Sequence, residues 1–304
     1  MSIFTEDFKP AAVATLANEH ALEDLEFLFR TLELWNNPPP SVYIYCDSAS
    51  LTKIHLLKYK GELHIKEALN AYTGLNRSYM ERKEGVDYPT LFGDFTVEKI
   101  SLMEWVLSDL PYKNNEKQKG VLFCDADILF LGPLPTIESN YSVALSPHYI
   151  REKDTKMFGK YNAGFLWTNS LTVLSAWREA CKTSRFFEQA ALEELDDFSP
   201  KLFGHEHNYG WWRLWQGEHS PTILKEQWTI RLRFEEYSGI CVLGNPLSSI
   251  HTHMTDSRDV ATMEYNSFVY CILKLCTKNP KVSTLLELID RKSPFLKQLS
   301  ENRV

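Results

Sequence analysis

Hydrophobic positions along this chain alternate between short unbroken runs and spacings of three and four. Residues 11–17 (AAVATLA) form an apolar run closed by Asn18, the pattern of a strand covered on both faces. Leu22, Leu25, Leu28, Leu32 and Trp35 then recur at helical spacing and predict a helix over 20–35 with one buried face. Asn36 and the triple proline at 38–40 stop it. VYIYC at 42–46 predicts a second strand, ended by Asp47 and Ser48. Strand, helix and strand in this order imply a right-handed crossover and the opening of a parallel sheet.

The same style continues through the middle of the chain. Ile100, Met103 and Leu107 predict a helix over 96–107, and a polar loop at 113–119 leads to VLFC at 121–124. This third strand is expected at the centre of the sheet, and a further apolar run, ILFLGPLP, follows a three-residue acid-rich turn. Strands are predicted at 142–145 and 164–168, and helices at 171–182 and 186–195. Past Asp197 the pattern weakens into a loop-rich region of His, Gly and Trp, before a late strand at 247–253 and helices near 263–276 and 283–288. No internal repeat, low-complexity run or linker interrupts the series. The expected class is α/β, a mainly parallel sheet flanked by helices over 1–262, with a helical C-terminal extension over 263–304 packed on the same domain.

Composition narrows the partners. At 304 residues with 44% hydrophobic and 24% charged positions, the chain can bury a sizeable core and is neither wholly disordered nor fibrous. The net charge of −7 offers no general attraction to nucleic acid or anionic lipid. A phosphate-bearing substrate would therefore need a local cationic device. The charged opening MSIFTEDFKP and the lack of any run of about 18 apolar residues predict no signal peptide and no integral membrane segment, hence a cytoplasmic location. The six cysteines form no CxxC pair and sit far apart or in apolar runs, as buried free thiols do.

VLFCDADILFL sets two carboxylates, Asp125 and Asp127, between apolar runs, the second of which ends at Gly132 and Pro133. Charges in such surroundings are costly and call for a partner. Ligands gather at the C-terminal strand edge of an open parallel sheet, and two acids there hold a divalent cation through hard oxygen ligands while leaving room for a diphosphate. The plain alternative is that Asp125 caps the strand and Asp127 begins a turn.

The text CDADILFLGPL resembles the motif region of the GT-A type glycosyltransferases, family 8 and its relatives, which carry Asp-x-Asp after a central strand of a Rossmann-like sheet. Three further pieces fall in the family's order. YNAGFLWTN (161–169) is similar to the Asn-Ala-Gly segment that lines the donor sugar, FEQAALEEL (ending at Leu195) to the acidic-Gln helix start beside the anomeric centre, and SSIHTHMTD (248–256) to the late strand whose His completes the metal site. Together they span roughly 11–256.

The resemblance implies a metal-dependent transferase that moves a sugar from a nucleoside-diphosphate sugar to a saccharide or other hydroxyl acceptor, with Mn2+ or Mg2+ as cofactor. It puts Asp125 and Asp127 on the ion, with Ala126 between them, and Asn162, Ala163 and Gly164 against the sugar. Glu188 and Gln189 approach its reacting face, and Lys99, on the helix before the motif strand, reaches a phosphate. Thr15 and Asn18 at the end of the first strand and Asp47 at the end of the second complete the donor-binding set. His251 and His253 are the candidate metal histidines, alternating on a strand and sharing one face, with His251 preferred because it directly follows Ile250. The family 8 Lys-Pro-Trp after the late His is missing, Arg258 stands as a substitute phosphate contact, and Glu188 replaces the more usual Asp.

An inverting reaction would place Glu206 or Asp256 on the acceptor hydroxyl, whereas a retaining one would rely on the polar face near Gln189 and on the diphosphate itself. HEHNYGWWRLWQGEH (205–219) suits either an acceptor pocket or a loop packed under the sheet. His205 and His207 have no third zinc ligand at a recognisable spacing. A haloacid-dehalogenase-like phosphatase would need Thr or Val where Leu129 stands, and a sugar-nucleotide pyrophosphorylase a Gly-rich loop where the chain reads LANEHALED. The remaining alternative is a catalytically inactive carbohydrate-binding or interaction protein of the same fold.

Overall fold

The computed structural model describes residues 7–110, 119–231 and 236–301. Residues 1–6 of the charged opening and 113–118 of the polar loop lie outside them. The strands that build the site are β1 (Ala12–Ala17), β2 (Ser41–Cys46), β3 (Leu63–Glu67), β4 (Val121–Cys124), β5 (Ile128–Phe130), β6 (Val143–Pro147), β7 (Tyr161–Thr168), β8 (Lys201–Leu202), β9 (Tyr209–Gly210) and β10 (Ser249–His251). The longer helices are α1 (Leu22–Trp35), α2 (Leu91–Asp109), α3 (Leu171–Cys181), α4 (Val260–Leu275), α5 (Pro280–Lys292) and α6 (Pro294–Glu301).

The main sheet has the order β8-β6-β7-β4-β1-β2-β3. Within it β7 runs antiparallel to its neighbours β4 and β6, and the other pairings are parallel. The expected central position of the motif strand is therefore met, with three strands on either side of β4. Both faces are covered, which is why β1 is buried at every residue. Its alternate side chains feed two cores. Val13 and Ala17 pack with α1, α4 and α5, and Ala12, Ala14 and Leu16 pack with α2 and α3. Gly120 enters β4 at φ 61, where a Cβ would lie 2.4 Å from the Thr168 carbonyl oxygen, so a side chain would push β4 off β7.

A second, three-stranded sheet, β9-β10-β5, begins directly after the aspartate turn. The apolar run after Asp127 thus leaves the main sheet and pairs with the late strand, His251 opposite Ile128.

Several boundaries differ from expectation. The helix expected over 96–107 starts at Leu91, because Thr90 Oγ1 accepts the Gly93 N–H at 3.1 Å and caps it. The helix expected over 186–195 divides into a short helix, Phe187–Ala190, and a 3-10 segment, Ala191–Phe198, following Phe187 at φ 43. The strand expected over 164–168 begins at Tyr161 and so carries Asn162, Ala163 and Gly164 within it. The late strand is shorter than 247–253 and ends at His251. β3 has no matching expectation: as a half-exposed edge strand, LHIKE lacks a continuous apolar run. Position 263 falls inside α4, whose Tyr265, Val269 and Leu273 join the core of β1 and α1. No helix among the described residues is long and apolar enough to cross a membrane.

Candidate active site

The turn after β4 holds Asp125, Ala126 and Asp127 at the C-terminal edge of the sheet. Across from it, β10 delivers His251. One atom each from Asp125, Asp127 and His251 lies within 4.8 Å of the others, a grouping able to hold a metal ion. His251 Nε2 stands 3.1 Å from Asp127 Oδ2 and 4.0 Å from Asp125 Oδ2. Gly164 on β7 forms the floor: a Cβ there would sit 2.4 Å from Asp125 Oδ2 and 2.6 Å from His251 Cε1.

The orientation of His251 follows from a chain of amides. The Gly164 N–H donates to Asn162 Oδ1 at 3.0 Å, which fixes that oxygen as an acceptor. Asn208 Nδ2 therefore donates to it at 3.0 Å, and to Ser146 Oγ at 3.0 Å. That leaves Asn208 Oδ1 facing His251 Nδ1 at 2.9 Å, so Nδ1 carries the hydrogen and Nε2 faces the carboxylates. Asn208 reaches this position through a left-handed backbone, φ 51, which asparagine tolerates better than most residues.

Charge is concentrated around the turn. Lys99 projects from α2 and pairs with Asp125 Oδ1 at 3.1 Å and with Glu188 Oε1 at 2.9 Å. Burial alone would lower its pKa, but the two carboxylates hold it above the ordinary lysine value. Burial would likewise raise the pKa of Asp127, yet the neighbouring His251 and His253 hold its carboxyl below the usual range. His253 follows β10 rather than extending it, so the shared strand face expected for the two histidines does not form. It reaches the cluster from the side, with Nε2 3.4 Å from Asp127 Oδ2 and Nδ1 2.7 Å from Asp24 Oδ2 on α1. The Asp127 charge, and then the hydrogen bond to Asp24, push its pKa up to about 10.

On the other wall, Asn162 Nδ2 approaches Gln189 Oε1 and His148 Nε2, each at 3.3 Å. Gln189 is itself held by donating from Nε2 to the Phe158 carbonyl at 2.8 Å. His148 donates from Nδ1 to the Gly159 carbonyl at 3.1 Å, and burial pushes its pKa down to about 4, so Nε2 accepts as a neutral imidazole. Trp212 packs edge-on against both His148 and His251, at 5.4 and 4.9 Å between ring centroids.

The structure therefore gathers Lys99, Asp125, Ala126, Asp127, Asn162, Ala163, Gly164, Glu188, Gln189, His251 and His253 around one place. Other expected residues make no hydrogen bond or ion pair to this network, although the Asp256 charge adds to the upward shift of the His253 pKa. Asp256 Oδ1 accepts from the N–H groups of Arg258 and Asp259, at 2.7 and 3.3 Å, and stabilises its own turn. Arg258 is 93% exposed at its side chain, with Asp256 at 3.8 Å. Glu206 lies beside Gly204 and His207, with no hydrogen bond or ion pair to either aspartate. Asn18 and Asp47 cap short helices, accepting from His20 N and Ser50 N at 3.0 and 2.9 Å. Thr15 Oγ1 is buried without a hydrogen-bond partner.

Asp24, His148 and Asn208 are site residues that the sequence reading does not single out. Asn208 lies in the His- and Trp-rich segment whose larger side chains draw attention first. Asp24 is separated from His253 by 229 positions, and no local pattern links them.

No family model matches the chain, and no curated protein matches it. Solved structures to which it is similar include glycosyltransferases. The galactosyltransferase LgtC in complex with donor and acceptor sugar analogs is 13% identical, covering 88% of this chain and 96% of LgtC at a TM-score of 0.47. The apo glycosyltransferase GlyE of Streptococcus pneumoniae TIGR4 is 14% identical, with 83% and 57% covered at 0.47. The apo bifunctional glycosyltransferase WbbM is 10% identical, with 69% and 41% covered at 0.43. The chain thus spans less than two thirds of the length of GlyE and of WbbM.

Proposed function

We propose that this chain is a metal-dependent glycosyltransferase that moves a sugar from a nucleoside-diphosphate sugar to a hydroxyl of a saccharide or similar acceptor. The observation that carries this reading is the cluster of Asp125, Asp127 and His251 at the C-terminal edge of the central strand. Its donor set fits a divalent cation: hard carboxylate oxygens, and an imidazole Nε2 aimed by a hydrogen bond at Nδ1. The glycine floor supports the same fit, because any larger residue at 164 would crowd both Asp125 and His251.

When bound, Mn2+ or Mg2+ supplies positive charge for a diphosphate leaving group. Lys99 adds a second, permanently charged group beside Asp125 in a chain whose net charge is −7. Asn162 and Gln189, already held by their own hydrogen bonds, offer an ordered polar wall for sugar hydroxyls. Glu188, paired with Lys99 at 2.9 Å, helps to hold that lysine beside Asp125.

The test is Mn2+-dependent hydrolysis of UDP-, GDP- and dTDP-sugars, preceded by a thermal-shift screen of the same donors with and without the ion. Asp127→Asn should abolish hydrolysis while the chain still unfolds in one cooperative transition, at a melting temperature lowered by loss of the ion pairs to His251 and His253. A fully active Asp125→Asn/Asp127→Asn double variant would overturn the reading. Metal-independent glycan binding without release of a nucleoside diphosphate would indicate a binding protein instead.

A further inference from the structure

Beside the candidate active site, on the far side of Glu188, lies a cavity of about 470 Å3 between the start of α2 and the segment that follows α3. That volume is in the range of small-molecule sites. Its apolar wall is made by Tyr88, Pro89, Val97, Phe186 and Phe187. Phe187 adopts φ 43, a left-handed conformation costly for an aromatic residue, immediately before Glu188.

The charged side chains around the cavity are already paired within the protein, and its hydroxyls are few. Arg185 is paired twice with Glu193, at 2.7 and 2.9 Å, and Glu81 accepts from Arg77 at 2.7 Å. Thr90 Oγ1 and Ser184 Oγ accept from backbone N–H groups at 3.1 and 3.4 Å, which leaves only their hydroxyl hydrogens to donate. Burial holds the Cys181 thiol above its ordinary pKa and so uncharged. Glu188 faces the other way, into its pair with Lys99 at 2.9 Å, which in turn lies 3.1 Å from Asp125. A ligand rich in hydroxyls or phosphates would find few free partners here, whereas an apolar group would lose none.

We infer that this cavity binds an apolar portion, aryl or alkyl, of the acceptor. The inference rests on the transferase reading for the word acceptor: the donor's sugar, diphosphate and base edge are all polar, so the acceptor is the substrate able to carry such a group. The acceptor class is then a glycoside or alcohol with a hydrophobic body, and free saccharides are the poorer substrates.

Calorimetric titration of the wild-type chain with 4-nitrophenyl and methyl β-D-glucosides and β-D-galactosides tests the cavity without turnover. The 4-nitrophenyl compound of at least one pair should bind about tenfold or more tightly. Val97→Phe, which fills the cavity, should remove that preference while preserving the donor-plus-Mn2+ thermal shift. Ser184→Phe narrows the space from the half-buried rim and serves where Val97→Phe lowers stability. Equal affinity for aryl and methyl glycosides in the wild type, or an aryl preference that survives both variants, would overturn the inference. Donor hydrolysis measured in parallel separates the two readings. Aryl preference without hydrolysis sinks the transferase and leaves the apolar site standing, and hydrolysis without aryl preference does the reverse.

Discussion

The two aspartates differ in what surrounds them, and substitutions should expose the difference. Asp127 contacts both His251 and His253, while Asp125 shares its charge with Lys99. Asn208 touches neither acid yet decides which nitrogen of His251 faces them. Asn208→Gly keeps the left-handed backbone accessible and removes the amide, so Mn2+ affinity read by electron paramagnetic resonance should fall about 10- to 100-fold, as losses behind a metal ligand do. His148 carries a pH signature. Its pKa of about 4 in the folded chain lies below the unfolded value of about 6.5, so its contribution is fully present above that value. As pH falls from about 6.5 towards 4, about 3 kcal/mol of stability should be lost through this group. Urea titrations across that range should show a shallower pH dependence in His148→Gln.

At the scale of elements, the site depends on where strands stop. β10 ends at His251 because the chain turns away after it, leaving His253 to approach Asp127 from the α1 side. β7, in contrast, continues past the acids, and the bulge in its pairing with β6, between Leu145 and Ser146, falls across the stretch that brings Gly164 beneath them. Gly164→Ala should therefore lower Mn2+ affinity about tenfold and also lower the melting temperature of the unliganded chain, since the crowded Asp125, His251 and Asn162 are pinned by their own partners. The aspartate pair and the Asn-Ala-Gly run are readable from the sequence because strand patterns and punctuation are local. The length of β10 is not, because SSIHTHM supports an extended strand until the pairing with β5 ends at Ile128.

For the molecule as a whole, we propose that the C-terminal helices and the sheet form one cooperative unit. Leu273 on α4 packs in the same core as Val13 of β1 and Leu25 of α1. Leu273→Ala should then cost about 2–5 kcal/mol and lower the single melting transition of the entire chain in calorimetry. Two separate transitions, with only the smaller one shifted, would show independent units.

What the sequence by itself determined is the alternation of strands and helices, the central strand and the acid pair that follows it, since each is written in the spacing of neighbouring residues. Tertiary structure alone decided that Asp24 meets His253, that Asn208 aims His251 and that Glu188 turns towards Lys99. Those contacts join distant segments through side-chain directions that hydrophobic periodicity does not encode: burial requires only that each polar group find some partner, and the packed fold selects which one.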